Sequence, residues 1–363
     1  MASAAIVNSV MTLAPPTSLA SKHTLPRVVT AGEALIDLVS QADGHFQPCL
    51  GGAVFNLSRA LGRQNVPTLY QNPLSSDRFG RQLAQALQRD GVQLAMPQPV
   101  AQPTSLAVVT LNAAGHPDYA FYREGVADRQ INAASMNAVC AAQPQLEIVC
   151  TGCLALDPAD APHYLTWWQA QKAAGRWLVV DVNLRPSVMP DLAQYRAHVL
   201  AMAQLADVLK ASDEDLAHLQ LPGNSPMEQA MHLMNLGAAQ WMALTLGAEG
   251  AHLLVRNGAQ IKVFSAREAA PLKVLDTVGA GDSFLAGLLA CALHHADQHT
   301  PAHILEPGQA PQVKTWASQA TDRCLQDVLA HALASASLVV MRRGCDPAHW
   351  DEVRARMTAF PAN

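Results

Sequence analysis

The nine residues Asp276–Phe284, DTVGAGDSF, set two glycines, an alanine and two carboxylates directly before a Leu- and Ala-rich stretch, Leu285–Leu293. This reads as a turn feeding a helix start. There the N–H groups of Gly279, Ala280 and Gly281 can point at one spot, and the helix dipole adds a potential that favours an anion. Glycine matters because a Cβ would block a phosphate or forbid the backbone angles. Asp282 would be repelled by a bound anion, so its place needs a reason. One reason is removal of a proton from a hydroxyl that attacks a held phosphoryl group. The other is a Gly-rich helix start with Asp as its cap.

Two other phosphate motifs fail on the residues. A dinucleotide fingerprint needs G-x-G-x-x-G, and Phe284 stands where the third glycine would be. No acidic residue follows at about 20 positions on, where the chain reads QHTPA. The string G-x-x-x-x-G-K-[ST] does not occur.

The elements that must position this loop are legible around it. The chain has 363 residues, half of them apolar and 15% charged, enough for one large α/β domain or two smaller ones. RVVTAGEALIDLV opens with a strand over Val28–Ala31, and a double glycine, Gly51 and Gly52, precedes a helix over Ala53–Arg63. PTLYQN is a strand leading to a helix that Asp77 caps and Gly91 ends. The rhythm changes over Ser105–Tyr122, which reads as a β-hairpin turning at 112–115. Then LEIVCTG, RWLVVDVN, DVLKAS and WMALTLG alternate as strands with helical sequence. That alternation implies parallel βαβ units with helices on both faces. HHADQHTPAHILEPGQAPQVKTWASQA, about 294–320, reads as a surface insertion. DRCLQDVLAHALASASLVVMRRG reads as the final helix, closed by Gly344.

Composition excludes several classes of partner. Net charge is −5 with no Lys/Arg cluster, which argues against nucleic acid or an anionic membrane. No apolar run approaches the roughly 18 residues of a membrane span. Seven scattered cysteines argue against a disulfide framework and for a reducing, cytoplasmic location. The pair Cys150 and Cys153, in CTGC, reads as core cysteines at a strand end rather than a redox or zinc site. Asn56-Leu57-Ser58 spells a glycosylation acceptor, which means nothing in a cytosolic protein. Residues 1–26 are Ser/Thr/Ala-rich without acidic residues and read as a disordered leader, with a transit peptide as the other reading.

Two segments carry a family resemblance. DTVGAGDSFLAGLL resembles the C-terminal signature of the ribokinase-like (phosphofructokinase B) sugar kinases. GGAVFNLSRALGRQNVPTLYQNPLSSDRFGRQL resembles their N-terminal signature, and the match runs in order over about Arg27 to Pro347. DYAFYREGVADRQI and DVNLRP are most similar to fructokinases, the second being shared with 2-keto-3-deoxygluconate kinases. The resemblance implies a three-layer α/β/α fold with a mostly parallel central sheet and a small β-sheet lid. The kinase domain would span 27–350, with lid segments at about 38–50 and 101–127. The expected reaction is transfer of the ATP γ-phosphoryl group to a sugar hydroxyl, most readily of fructose. The alternatives are the keto-acid sugar, or a non-catalytic sugar-binding regulator on a kinase fold.

Carried over residue by residue, Asp282 matches the family's catalytic base and Gly279, Ala280 and Gly281 its anion hole. Asp37, Gly51, Gly52 and Asn56 match its sugar pocket. Arg123 matches a lid arginine that closes over the sugar, and its other reading is a solvated strand-edge residue. Asn183 and Arg185 follow a strand's C-terminal end, where open α/β sheets collect ligands. Arg185 could pair with phosphate or serve a structural ion pair. TLGAEG matches the nucleotide side through Thr245, Gly247 and Gly250, and Lys210 and Thr277 are placed with them. The family's N-x-x-E, whose Glu organises Mg²⁺ through water, is replaced here by Ser212 and Asp215. Asp215 could act through bridging water, Glu214 could substitute, or Ser212 and Asp215 could form a capping box. The resemblance thus implies ATP and Mg²⁺ and leaves a monovalent cation such as K⁺, and a homodimer through the lid, open.

Overall fold

The computed structural model of the chain describes residues 25–41, 43–111, 117–299 and 312–362. It opens with β1 (Val28–Thr30), β2 (Leu35–Ser40), β3 (Phe46–Gly51), α1 (Ala53–Arg63), β4 (Thr68–Tyr70), α2 (Arg78–Arg89) and β5 (Gln93–Leu94). A hairpin of β6 (Ser105–Leu111) and β7 (Pro117–Tyr122) follows. Alternation then resumes through α3 (Ala133–Ala141), β8 (Ile148–Gly152), α4 (Ala161–Ala173), β9 (Trp177–Asp181), α5 (Leu192–Leu205) and β10 (Val208–Ser212). Two helices, α6 (Asp213–Leu219) and α7 (Pro226–Asn235), lead to β11 (Trp241–Thr245), β12 (Ala251–Asn257) and β13 (Gln260–Ala266). The C-terminal part is helical: α8 (Ala280–His299), α9 (Gln312–Ala317), α10 (Asp322–Val340) and α11 (Trp350–Ala359).

The large sheet runs β13-β12-β11-β10-β9-β8-β1-β4-β5, parallel from β5 through β11 and antiparallel at β12 and β13. Its central strands β1, β8, β9, β10 and β11 are largely apolar and buried because both faces are covered, so successive residues enter opposite layers. Val29, Val149, Leu178, Leu209 and Met242 pack on the layer of α3, α4, α5 and α7. Their neighbours Val28, Ile148, Trp177, Val208 and Trp241 pack on the layer of α1, α8, α9 and α10. In that second layer Trp241 meets Trp177 and Trp316 edge-on, ring centroids 5.1 and 6.1 Å apart.

The smaller sheet, β3-β2-β6-β7, projects from the same end as the C-terminal ends of the parallel strands. Its first strand begins at Leu35, earlier than the expected boundary of 38, so Asp37 lies within the lid itself. Asp77 caps α2 by accepting from the Gly80 N–H at 2.7 Å, as its position predicts.

Two expectations need correction. The stretch 294–320 is not a surface insertion at its ends: α8 continues to His299, and α9 buries Val313 and Trp316 in the core. Its small residues and histidines hid a helix whose apolar face is short. The remainder, 300–311, lies outside the described residues, as do the leader up to residue 24 and the hairpin tip 112–116. Nor does Gly344 close the last helix. α10 ends at Val340, Gly344 sits in a turn with φ +67°, and α11 follows. Among the described residues no helix is long and apolar enough to cross a membrane.

Candidate active site

The DTVGAGD segment forms the turn before α8. Gly279 takes φ +78°, and a Cβ there would lie 2.2 Å from Cys345 Sγ, so both conformation and space demand glycine. The Ala280 N–H is tied to the Thr277 carbonyl at 3.2 Å, and Ser283 N–H to the Gly279 carbonyl at 2.8 Å. Ala280 is therefore a turn-closing amide rather than an open one, a correction to the three-amide reading. The Gly281 and Asp282 amides are the first-turn donors left without a bond to another described residue. Asp276 braces the loop, accepting from Val278 N–H at 3.0 Å and from Gly344 N–H at 2.9 Å.

Asp282 follows at once and is buried. Its Oδ2 accepts from Asn56 Nδ2, on the first turn of α1, at 3.0 Å. The double glycine lets α1 start beside the lid. Gly52 has φ +106°, and at Gly51 a Cβ would fall 2.1 Å from the Asp37 carboxylate. Asp37 thus lies against Gly51, and Asn56 against Asp282, on either side of the Gly51–Gly52 turn. Glu33 joins them, its Oε1 accepting from Ala53 N–H at 2.8 Å. The Gly32–Glu33 turn is pinned by Tyr70, which donates to the Gly32 carbonyl at 2.7 Å, and by Asn72 Oδ1, which accepts from Gly32 N–H at 2.9 Å.

Arg123 is not a solvated strand-edge arginine. It is buried just past β7 and donates to Asp157 at 3.2 Å and to the Leu154 carbonyl at 3.1 Å. It is anchored to the body rather than carried freely by the lid. Asp128, buried beside it, accepts from Ser105 Oγ at 2.5 Å.

The ends of β9, β10 and β11 supply the next wall. Lys210 is clamped to both oxygens of Asp181 at 2.8 and 2.9 Å, and its Nζ stands 3.0 Å from where a Cβ on Gly281 would be. It therefore lies under the GAGD turn, beside Asp282, rather than out with TLGAEG. Asn183 adopts φ +34°, a conformation asparagine tolerates better than most residues. That bend turns the chain so that Arg185 Nη1 donates back to the Asn183 and Leu184 carbonyls at 3.3 and 2.9 Å. Thr245 pairs in register with Ser212 at the strand ends, with Gly247 and Gly250 in the turn beyond at φ +55° and +102°. Thr277 is exposed at the loop's entrance.

Asp215 is used otherwise than expected of a metal residue. Its Oδ2 accepts from Ser212 N–H and Ser212 Oγ, both at 2.8 Å, and its Oδ1 from Leu184 N–H at 2.7 Å. With Asp215 N–H donating to Ser212 Oγ at 3.1 Å, this is the capping box. The buried carboxylate is filled by three donors and positions the Asn183–Arg185 bend from behind.

Burial raises the carboxyls of this pocket. It lifts Asp282 to about 7, aided by the negative charge of Asp181 and opposed by Asn56, Lys210 and Arg185. It also lifts Glu33 and Asp37 to about 6 each, with Arg185 opposing at Asp37. Arg185 is pushed above its ordinary value, Cys153 contributing most, then Asp215, Asp282 and Glu33. These raised carboxyls hold protons more tightly folded than unfolded. Their contribution to stability is full at low pH and fades as pH rises from about 4 through 7. Asp282→Asn is accordingly expected to raise the melting temperature of the ligand-free protein, and to raise it more at about pH 8 than at about pH 5. An equal gain at both would show that the carboxyl is not held above its usual range.

Several residues of the site escape a sequence reading. Glu33, Asp128, Asp157 and Asp181 have no role assigned from the sequence, although Glu33, Asp128 and Asp181 stand inside the strings RVVTAGEALIDLV, DYAFYREGVADRQI and DVNLRP. A signal is available for Asp181, an acid at the end of the apolar strand WLVVD, where a buried charge must have a partner. Cys153 is core, as read, and it adopts φ +52° just past β8.

Comparison with known proteins agrees with this geometry. Residues 25–351 match the pfkB family of carbohydrate kinases. A fructokinase of Rhizobium leguminosarum bv. trifolii is 34% identical over 267 residues, 72% of this chain and 78% of that protein. The fold is shared with an ATP-bound fructokinase of Xylella fastidiosa (TM-score 0.75, 24% identity, 92% of this chain and 99% of that one). It is shared too with a double-mutant fructokinase of Vibrio cholerae holding fructose, ADP and potassium (TM-score 0.69, 23% identity, 93% and 98%). With the GAGD turn, the lid and the doubly wound sheet in place, this chain belongs to the pfkB family of carbohydrate kinases.

Proposed function

We propose that this kinase phosphorylates fructose, with Asp282 taking the proton of the attacking hydroxyl as the γ-phosphoryl group of ATP passes to its oxygen and ADP departs. The observation that carries the reading is a set of buried polar atoms without partners among the described residues: Glu33 Oε2, Asn56 Oδ1, Arg123 Nε and Asp128 Oδ2. A buried polar atom left unpaired costs about 1–3 kcal/mol, so such a group implies a hydroxyl-rich ligand that completes it. Asp37, Gly51, Gly52 and Asn56 would hold sugar hydroxyls, and Gly279 and Gly281 with the Asp282 amide would receive the transferring phosphoryl group. Asn183 and Arg185 would face the sugar and phosphate, and Lys210 would steady the charge from beneath the loop. Thr245, Gly247, Gly250 and Thr277 would contact the nucleotide. The named curated relative is a fructokinase, which favours a ketose.

The anchoring of Arg123 by Asp157, and of Arg185 by the Asn183 and Leu184 carbonyls, bear on the alternative keto-acid sugar. Both cations are already engaged, which suits an uncharged ketose better than 2-keto-3-deoxygluconate. Mg²⁺ would enter with the nucleotide and offset phosphate charge. With Asp215 filled, exposed Glu214 is the neighbouring carboxylate able to hold its water shell. Glu214→Gln is then expected to raise the Mg²⁺ concentration for half-maximal activity several-fold. Asp215→Asn should instead lower stability, by about 1–3 kcal/mol, through a weakened box; a reversed pattern would return the metal to Asp215. A potassium site is a further part of the proposal, suggested by the ion in the Vibrio structure. So are pairing of two lids, where Phe46 and Tyr122 are exposed, and a cytoplasmic location, which suits seven free cysteines.

The direct test is ADP release with Mg·ATP against fructose, 2-keto-3-deoxygluconate, ribose, glucose and adenosine. Saturable turnover on fructose supports the proposal. Turnover on the keto-acid alone moves the substrate, and silence from folded protein favours a sugar-binding regulator.

A further inference from the structure

Away from the active site, on the outer helical layer, α8 and α10 bring a thiol, an imidazole and a carboxylate together. Cys291 and His295 are one turn apart on the same face of α8, and Asp327 reaches them from α10. One ligand atom from each lies within 4.8 Å of the others. His295 Nε2 is 2.9 Å from Asp327 Oδ2, and Cys291 Sγ is 3.5 Å from the same oxygen. For comparison, a tetrahedral zinc ion with ordinary bond lengths holds nitrogen and oxygen ligands about 3.4 Å apart, and sulfur and oxygen about 3.6 Å apart. The ring of His295 is fixed by stacking on Trp316, centroids 5.5 Å apart and planes 3° from parallel. Its other nitrogen, Nδ1, is buried without a partner among the described residues.

We infer that Cys291, His295 and Asp327 form a binding site for a soft or borderline divalent ion, zinc foremost, separate from the nucleotide's Mg²⁺. A mixed sulfur, nitrogen and oxygen set discriminates against Mg²⁺ and Ca²⁺, which want oxygen alone. The fourth vertex falls to water, as in zinc sites with three protein ligands. In the metal-free protein Arg354 Nη1 neutralises Asp327 at 3.2 Å, and its side chain, 42% exposed, is free to swing into solvent when the ion enters. The ion would clamp α8, whose first turn carries Asp282, to α10.

The test uses the full-length protein, dialysed against chelator and titrated with Co²⁺. A thiolate-to-cobalt charge-transfer band in the near ultraviolet, one equivalent per chain and displaced by Zn²⁺, is expected. Cys291→Ser should abolish the band, and His295→Gln should weaken Co²⁺ binding at least tenfold. Arg354→Gln should tighten it, because the competing cation is gone. A purely structural ion-pair network anticipates no band and no gain in that variant, and either result would overturn the inference. Unchanged ADP release in His295→Gln, with Mg·ATP and fructose, would show that the variant is folded.

Discussion

Asp282→Asn is expected to lower kcat by about 10²–10⁴-fold, the usual worth of a positioned general base, while ATP affinity stays within a few-fold. The side chain keeps its size and its bond to Asn56, since an amide oxygen can still accept from Asn56 Nδ2. What is lost is the ability to take a proton in a pocket where few other groups can. Lys210 and Arg185 are cations, and Glu33 and Asp37 lie on the lid side. The wild-type rate should rise with pH through about 7, where the buried carboxyl ionises. The Asn variant should lose that limb of the profile. Near-normal turnover in the variant, or an unchanged acid limb, would remove Asp282 from the proposed role.

Lys210→Met is the second large effect, and it falls on stability. Lys210 and Asp181 are both buried, and their two short bonds leave neither exposed to water. Removing one partner strands a charge where solvent cannot reach it, which typically costs about 3–5 kcal/mol. Denaturant unfolding should show this loss as a lower midpoint. The double variant Lys210→Met with Asp181→Leu should recover a large part of it, because two apolar groups no longer need each other. If the double variant is as unstable as the single one, the loss comes from packing and not from the unpaired carboxylate. Activity should fall in both, since Nζ stands 3.0 Å from where a Cβ on Gly281 would be, next to Asp282.

Much of this molecule was legible in the chain. Continuous apolar runs such as LEIVC and RWLVV cannot sit at a surface, so they announced a sheet covered on both faces. The glycines of GAGD and of Gly51–Gly52 announced close backbone approaches, and a Cβ at most of them would indeed strike a neighbour. Such signals are local: they depend on backbone angles and on the period of burial, which neighbouring residues set.

Other features depended on partners distant in sequence. KASDEDL spells the capping box of Ser212 and Asp215, but nothing in it shows that Leu184, 31 residues earlier, fills the other carboxylate oxygen. Nothing in FYREGVAD shows that Arg123 is locked to Asp157, or that His294–His299 continues a helix packed on α10. The sequence by itself determined the fold class, the Gly-rich turn that opens α8 and the family, because each rests on short-range sterics and burial. Only the tertiary structure decided which charges are paired, which are left open for a ligand, and what the cysteine and histidine of α8 face. Those are matters of a few ångströms between side chains brought together by folding, and they are set by the packing of all the layers at once.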